Sequence, residues 1–203
     1  MKIIPPNDLT DFILPLPIYR SIRIADAIGR DGEEFGIFVG LNGKCVEQLK
    51  KFSLDDLDVD LQNNTGDKKR FGEGLYEDWY TKSRTPFCLV HKQTDALAAL
   101  VWFGPKSIGK KSIKFGEEEK DEIQNSWHTI SCRSYIPFRG KGIMKNFTEF
   151  VMDVYKKQFS NINFWAGMDD RNKAVLKLFL ELDFGIDEEN SDLNSNWLIM
   201  TKK

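Results

Sequence analysis

The chain has 203 residues, 41% of them hydrophobic and 12% aromatic, which suits one globular domain, residues 1–203, with a sizeable core. Lys and Arg number 29 against 31 Asp and Glu, and the net charge of −2 excludes a general attraction to nucleic acid or to an anionic lipid surface. The three cysteines are odd in number and fall in helix-like and strand-like segments, no apolar run is long enough to span a bilayer, and the start lacks a signal-peptide pattern, so the sequence reads as a soluble, reduced, cytoplasmic protein, monomer or homodimer.

Residues 1–17 hold four prolines among apolar residues, which predicts extended chain lying over the body. Residues 18–26 and 34–40, with Gly29, Asp31 and Gly32 between them, predict a hairpin. Asn42 is placed to cap a helix reaching about Phe52, with Val46, Leu49 and Phe52 inward. The acidic, then Asn-rich residues 55–69 read as a loop, and residues 71–80 as a short helix presenting Leu75 and Trp79. Two apolar runs, 86–91 and 96–103, flank Lys-Gln-Thr-Asp as a second hairpin, and the charged residues 106–124 read as a solvated excursion.

Residues 127–136 are β-branched and aromatic and predict a strand that Pro137 ends. Beyond it Ile143, Phe147, Phe150, Val151 and Val154 recur at helical spacing, predicting an amphipathic helix of about four turns from near Gly140. A strand over 161–166, a capping loop at Asp169, Asp170, Arg171 and Asn172, a helix face of Val175, Leu178, Phe179 and Leu182, and a β pair from 184–186 and 196–201 close the chain. From residue 86 the order β-β-loop-β-α-β-α-β-β predicts a mixed α/β (α+β) sheet with helices on its faces.

The junction of the 127–136 strand with the following helix carries the chemistry. Gly140 and Gly142 open backbone angles closed to other residues and admit a ligand closely. A helix N-terminus there adds unpaired N–H groups and the positive end of a dipole, a combination suited to a pyrophosphate. Arg139-Gly140-Lys141-Gly142-Ile143-Met144 resembles the Arg/Gln-x-x-Gly-x-Gly/Ala loop of the GNAT acyltransferases; Arg139 and Gly142 match, and Met144 departs from the usual small residue. Residues 172–184 resemble a second motif of that family, Asn-x-x-Ala-x-x-Leu-Tyr-x-x-x-Gly-Phe, with Phe179 in place of Tyr and Asp183 in place of Gly. The resemblance covers residues 86–203, and the first 85 residues fit it only as generic elements.

The resemblance implies a GNAT-like fold whose central, mostly antiparallel sheet is splayed between its fourth and fifth strands, with residues 86–203 as the acetyl-CoA-binding core and residues 1–85 on the acceptor side. It also implies an N-acetyltransferase that passes an acetyl group from acetyl-CoA directly to a primary amine. The implied coenzyme contacts are Arg133, Ser134 and Tyr135 on the splayed strand, residues 139–144 (Arg139, Gly140, Lys141, Gly142, Ile143, Met144) at the loop, and Asn172 and Phe179 on the last helix. An amine must lose a proton before attack. His128 and Tyr135 are the leading candidates for that proton transfer, with Glu77, Asp78 and Asp169 behind them. His128 also alternates with Ile130 and Cys132, which suits a buried, satisfied histidine instead. Phe179 has no proton to give the leaving thiolate, and a non-catalytic acyl-CoA-binding module of the same fold is the competing reading.

Other patterns are weaker. Residues 104–111 nearly spell a nucleotide loop, but Lys111 stands where the Mg²⁺-binding hydroxyl belongs. Asp56, Asp58 and Asp60 have calcium-loop spacing, yet Leu61 occupies the sharp-turn glycine position, so a solvated acidic turn is expected and no metal. Lys106, Lys110, Lys111 and Lys114 are either coenzyme 3′-phosphate contacts or plain surface.

Overall fold

The computed structural model describes residues 1–6, 11–109 and 126–203. Among these the strands, in chain order, are β1 (Lys2–Ile4), β2 (Ile22–Ile28), β3 (Glu34–Val39), β4 (Thr85–His91), β5 (Leu97–Pro105), β6 (Trp127–Ser134), β7 (Asn163–Asp169), β8 (Gly185–Ile186) and β9 (Trp197–Lys202). The helices are α1 (Gly43–Ser53), α2 (Val59–Asn64), α3 (Tyr76–Tyr80), α4 (Met144–Gln158) and α5 (Lys173–Glu181). One sheet runs β1-β2-β3-β4-β5-β6-β7-β9-β8, antiparallel throughout except between β6 and β7.

Helices cover both faces. Along β5, Leu100 and Trp102 point to one face, where they pack with Cys45 and Leu49 of α1, Leu61 of α2 and Trp79 of α3. Val101 and Phe103 point to the other, against Phe147, Val151 and Tyr155 of α4. This is the near-continuous apolar reading expected of a strand buried on both sides. Each fully buried residue of this size contributes roughly 1.5–3 kcal/mol.

The parallel β6/β7 pair is short. It holds only at Trp127↔Asn163, His128↔Phe164 and Thr129↔Trp165, although β6 runs to Ser134 and β7 to Asp169. Beyond Thr129 the two strands diverge, so the sheet is splayed there.

Four elements differ from the sequence reading. Residues 2–4 are a strand pairing Lys2 with Ile28, more than a covering strap. The 55–69 loop is helical in part: Asp58 caps α2 by accepting from Leu61 N–H at 3.1 Å, and a π-helical turn follows at Lys68–Gly72. The short helix contracts to α3, where Tyr76 and Trp79 are buried and Leu75, outside it, is 58% exposed. Helix α4 starts at Met144 instead of Gly140, since Gly140 and Gly142 have φ of +80° and +68°, outside the helical region. The expected excursion at 106–124, with Lys110, Lys111 and Lys114, lies largely outside the described residues.

Candidate functional site

The splay leaves main-chain groups of β6 without a strand partner. Tyr135 N–H donates to Ala98 O at 3.0 Å and Lys106 N–H to Trp127 O at 3.1 Å, so the odd-numbered residues of β6 make the hydrogen-bonded pairs with β5. Even-numbered residues turn their N–H and C=O groups toward β7. Two of the carbonyls there are taken by arginines: Cys132 O accepts Nη1 of Arg133 at 2.8 Å, and Ser134 O accepts Nε and Nη2 of Arg139 at 3.2 and 3.1 Å. The N–H groups of Cys132 and Ser134 are left facing the gap. Strand polarity thus separates residues that the sequence groups together, because the amide of Tyr135 is spent on β5 while that of Ser134 is not.

The turn between β6 and α4 presents a second set of donors. Among the described residues no hydrogen bond engages the N–H groups of Gly140, Gly142, Ile143, Met144, Lys145 or Asn146. These include the first-turn amides that no helix can satisfy internally. Both glycines take left-handed angles; a Cβ at Gly140 would meet nothing within 4 Å, and one at Gly142 would come no closer than 3.7 Å, to the guanidinium of Arg30. Lys141 is tied to the β2–β3 turn through Glu33 at 2.9 Å and Asp31 at 3.2 Å. The loop is open on its outer side and anchored from below.

A cleft of about 740 Å³ fills the splay. Ser134, Arg133 and Arg139 line one wall, Asn172 and Phe179 the other, and residues of α2 and Arg70 its rim. Of the loop, Arg139 lines it, whereas Gly140, Lys141, Gly142, Ile143 and Met144, expected as coenzyme contacts, follow it in the chain and are not among the lining residues. Asn172 accepts from Val175 N–H at 3.2 Å and so caps α5 at the cleft wall. Phe179 is 2% exposed and packs edge-on to Phe184, with ring centroids 4.8 Å apart.

The proposed proton carriers are elsewhere. His128 is 5% exposed, on the α4 face, with Nδ1 2.7 Å from Tyr155 Oη and its ring against Phe159. Tyr135 is fully buried, stacked on Phe52 at 4.7 Å, and burial holds its hydroxyl well above the ordinary phenol value. Neither belongs to the cleft lining, and neither do Glu77 and Asp78. The parity of β6 explains His128: its even number turns the side chain into the α4 core with Ile130 and Cys132. Asp169 does line the cleft, held by Arg171 at 2.6 Å.

Two carboxylates whose role local pattern does not show organise the site. Asp58, 7% exposed, grips Arg139 with both oxygens, at 2.8 and 2.7 Å, besides capping α2; it is not the solvated turn its neighbours suggest. Asp67, 1% exposed, receives Arg133 Nε at 2.6 Å and Arg70 Nη1 at 2.5 Å. Only the spacing of Asp67 and Arg70 is visible locally. The pairs to Arg133 and Arg139 span 66 and 81 residues.

The hydrogen bonds from Arg139 hold the Asp58 carboxyl below its ordinary value, outweighing burial. A depressed carboxylate contributes stability that is present above the unfolded value, about 3.9, and lost as pH falls through the lower folded value. Asp58→Asn should therefore flatten the acid limb of the stability profile below about pH 4, while Asp58→Ala costs about 2–4 kcal/mol at neutral pH through the lost pair and cap. Urea titrations at stepped pH check both.

Gly167 of β7 shares the cleft wall with Trp197, whose ring lies over it; an added Cβ would sit 2.2 Å from the indole Cζ2. Gly167→Ala is expected to cost about 1–3 kcal/mol by overpacking. The displaced indole should also shift tryptophan emission, which denaturation followed by fluorescence will register.

Among the described residues no helix is long and apolar enough to cross a membrane, and no group of three or more His, Cys, Asp or Glu is placed to hold a metal. No protein-family model matches the sequence, and no curated protein matches it. The fold does match solved structures. The GNAT domain of S. lividans PAT superposes with a TM-score of 0.59 at 14% identity, over 88% of this chain and 95% of that one. The ribosomal-protein-S5-alanine acetyltransferase of Vibrio fischeri gives 0.56 at 15% identity, over 82% and 92%. Spermidine N-acetyltransferase from Vibrio cholerae, solved with CoA and spermine, gives 0.54 at 12%, over 81% and 92%. The chain shares the fold of these GNAT structures, and its described residues form a mostly antiparallel nine-stranded sheet with helices on both faces.

Proposed function

We propose that the protein is an N-acetyltransferase that passes the acetyl group of acetyl-CoA directly to a primary amine. Two sets of unengaged amides on one strand–turn–helix unit support this reading: Cys132 and Ser134, which line the cleft in the splay, and Gly140, Gly142, Ile143 and Met144 at the start of α4, in the turn that follows the cleft-lining Arg139. The second set fits a diphosphate, since several N–H groups and a helix dipole converge on an open turn. The first set fits an extended amide-bearing arm and, at its inner end, a carbonyl oxygen gaining charge. Residues 86–203 would form the coenzyme core, and residues 1–85 the acceptor side.

Acetyl-CoA would supply an activated thioester. In the transfer the C–N bond forms, the C–S bond breaks, the amine gives up its proton, and free thiol is released. Arg139 holds the loop in place through Asp58, and Asn172 holds the start of α5, so both act by positioning. Of the candidate bases, Asp169 lines the cleft and is 18% exposed at the end of β7, which supports it as the group that would draw off the amine's proton through water. A thiol pKa near 8.5 makes thiolate a fair leaving group without an acid, which suits Phe179 at the position where a tyrosine is common.

The burial of His128 and Tyr135 away from the cleft favours a second reading, a module that binds acyl-CoA without turning it over. Release of thiol from acetyl-CoA against a panel of amines separates them. Turnover with any amine supports the transferase. A thermal midpoint that rises with coenzyme A, with no turnover across the panel, supports the binding module.

A further inference from the structure

Taking the cleft as an acetyltransferase site, we infer that its acceptor is an amine that also carries a carboxylate, held by the guanidinium of Arg70 beside that of Arg133. The two guanidiniums share one carboxylate, Asp67, so the cluster bears a formal excess of one positive charge. Each arginine side chain is only 14% exposed, and both line the cleft, so that exposure opens onto it. Arg133 spends all three nitrogens on Asp67 and the carbonyl of Cys132. Among the described residues Arg70 donates through Nη1 alone, which leaves Nε and Nη2 for a ligand. Trp102 floors the cluster, 4.7 Å from the Arg133 carbon and 5.7 Å from that of Arg70.

An excess charge in such a place is costly unless a second anion meets it, and the planar fork of an arginine matches a carboxylate. Burial and the neighbouring Arg133 together hold the Arg70 guanidinium below its ordinary value against the opposing pull of Asp67, in keeping with an uncompensated positive site. Two placements assign the anion to the acceptor instead of the coenzyme. Trp102 and the cluster belong to the sheet face covered by α1 and α3, whereas the glycine loop feeds α4 on the opposite face. Arg133 also lies between Cys132 and Ser134, whose amides edge the splay, so a small acceptor anchored at Arg70 has its amine beside them. The same positive charge repels a polyamine, a discrimination by repulsion as much as by fit.

The test measures thiol release from acetyl-CoA with neutral amino acids, with their carboxamides and with spermidine. Expected is a kcat/KM at least tenfold higher for acids than for the matched amides, and no preference for spermidine. In Arg70→Gln the acid-to-amide ratio should fall at least tenfold, with the Kd for coenzyme A within twofold of the parent. Equal or better turnover of the amides or of spermidine by the unaltered protein overturns the inference, whether or not the variant folds. A tenfold loss of coenzyme A affinity in Arg70→Gln overturns it too, by giving the cluster to the coenzyme. Absence of turnover with every amine, with coenzyme A still bound, removes the transferase reading and this inference with it; turnover confined to amides or polyamines removes the inference alone.

Discussion

Asp67→Asn is expected to destabilise the protein by about 3–5 kcal/mol, the cost of removing one partner from a buried ion cluster. The carboxylate is 1% exposed and is the group that faces both Arg70 and Arg133. Without its charge two guanidiniums remain close together in a buried place, each repelling the other. Against a total stability of about 5–15 kcal/mol this is a large fraction, and at about 2–4 °C per kcal/mol the thermal midpoint should fall by at least ~6 °C. Adding Arg70→Met should restore part of the loss, because it removes the uncompensated charge. Equilibrium unfolding of the single and double variants measures both effects. A loss under about 1 kcal/mol would mean that the cluster is open to water and contributes little.

Gly142→Glu is expected to separate binding from folding. At φ +68° a residue with a Cβ pays roughly 1–2 kcal/mol, and among the described residues that Cβ comes no closer than 3.7 Å to a neighbour, the exposed guanidinium of Arg30, so the protein should still fold. Yet the new carboxylate stands among the amides of Gly142, Ile143 and Met144, the donors proposed for the diphosphate. Affinity for coenzyme A should drop at least about 100-fold, which is about 2.7 kcal/mol. In practice the midpoint rise that coenzyme A gives the unaltered protein should vanish in the variant. Retention of that rise would move the phosphate site away from this turn.

The elements that carry chemistry were mostly readable one segment at a time. The strand from Trp127 needs only its β-branched and aromatic run, α4 its spacing of Ile143, Phe147, Val151 and Val154, and α5 the capping Asn172 followed by Val175 and Phe179. Even the burial of His128 lay in its parity with Ile130 and Cys132. Residues 55–69 resisted because little there is periodic. Leu61 is the one buried apolar residue of α2, and Asp58 and Asp67 are fixed by arginines 81 and 66 residues away. Tyr135 resisted for a related reason, since which β6 amides are free depends on the pairing register with β5, and one step along the strand reverses the answer. Local patterning reports faces and caps; it does not report which distant charge neutralises which.

Calorimetric titration of the unaltered protein with coenzyme A and, separately, with pantetheine bears most directly on the diphosphate site. Saturable one-to-one binding of coenzyme A, with pantetheine weaker by at least about 100-fold for want of the diphosphate, is the predicted result. Equal affinity for the two, or no heat with coenzyme A at millimolar concentration, would contradict it.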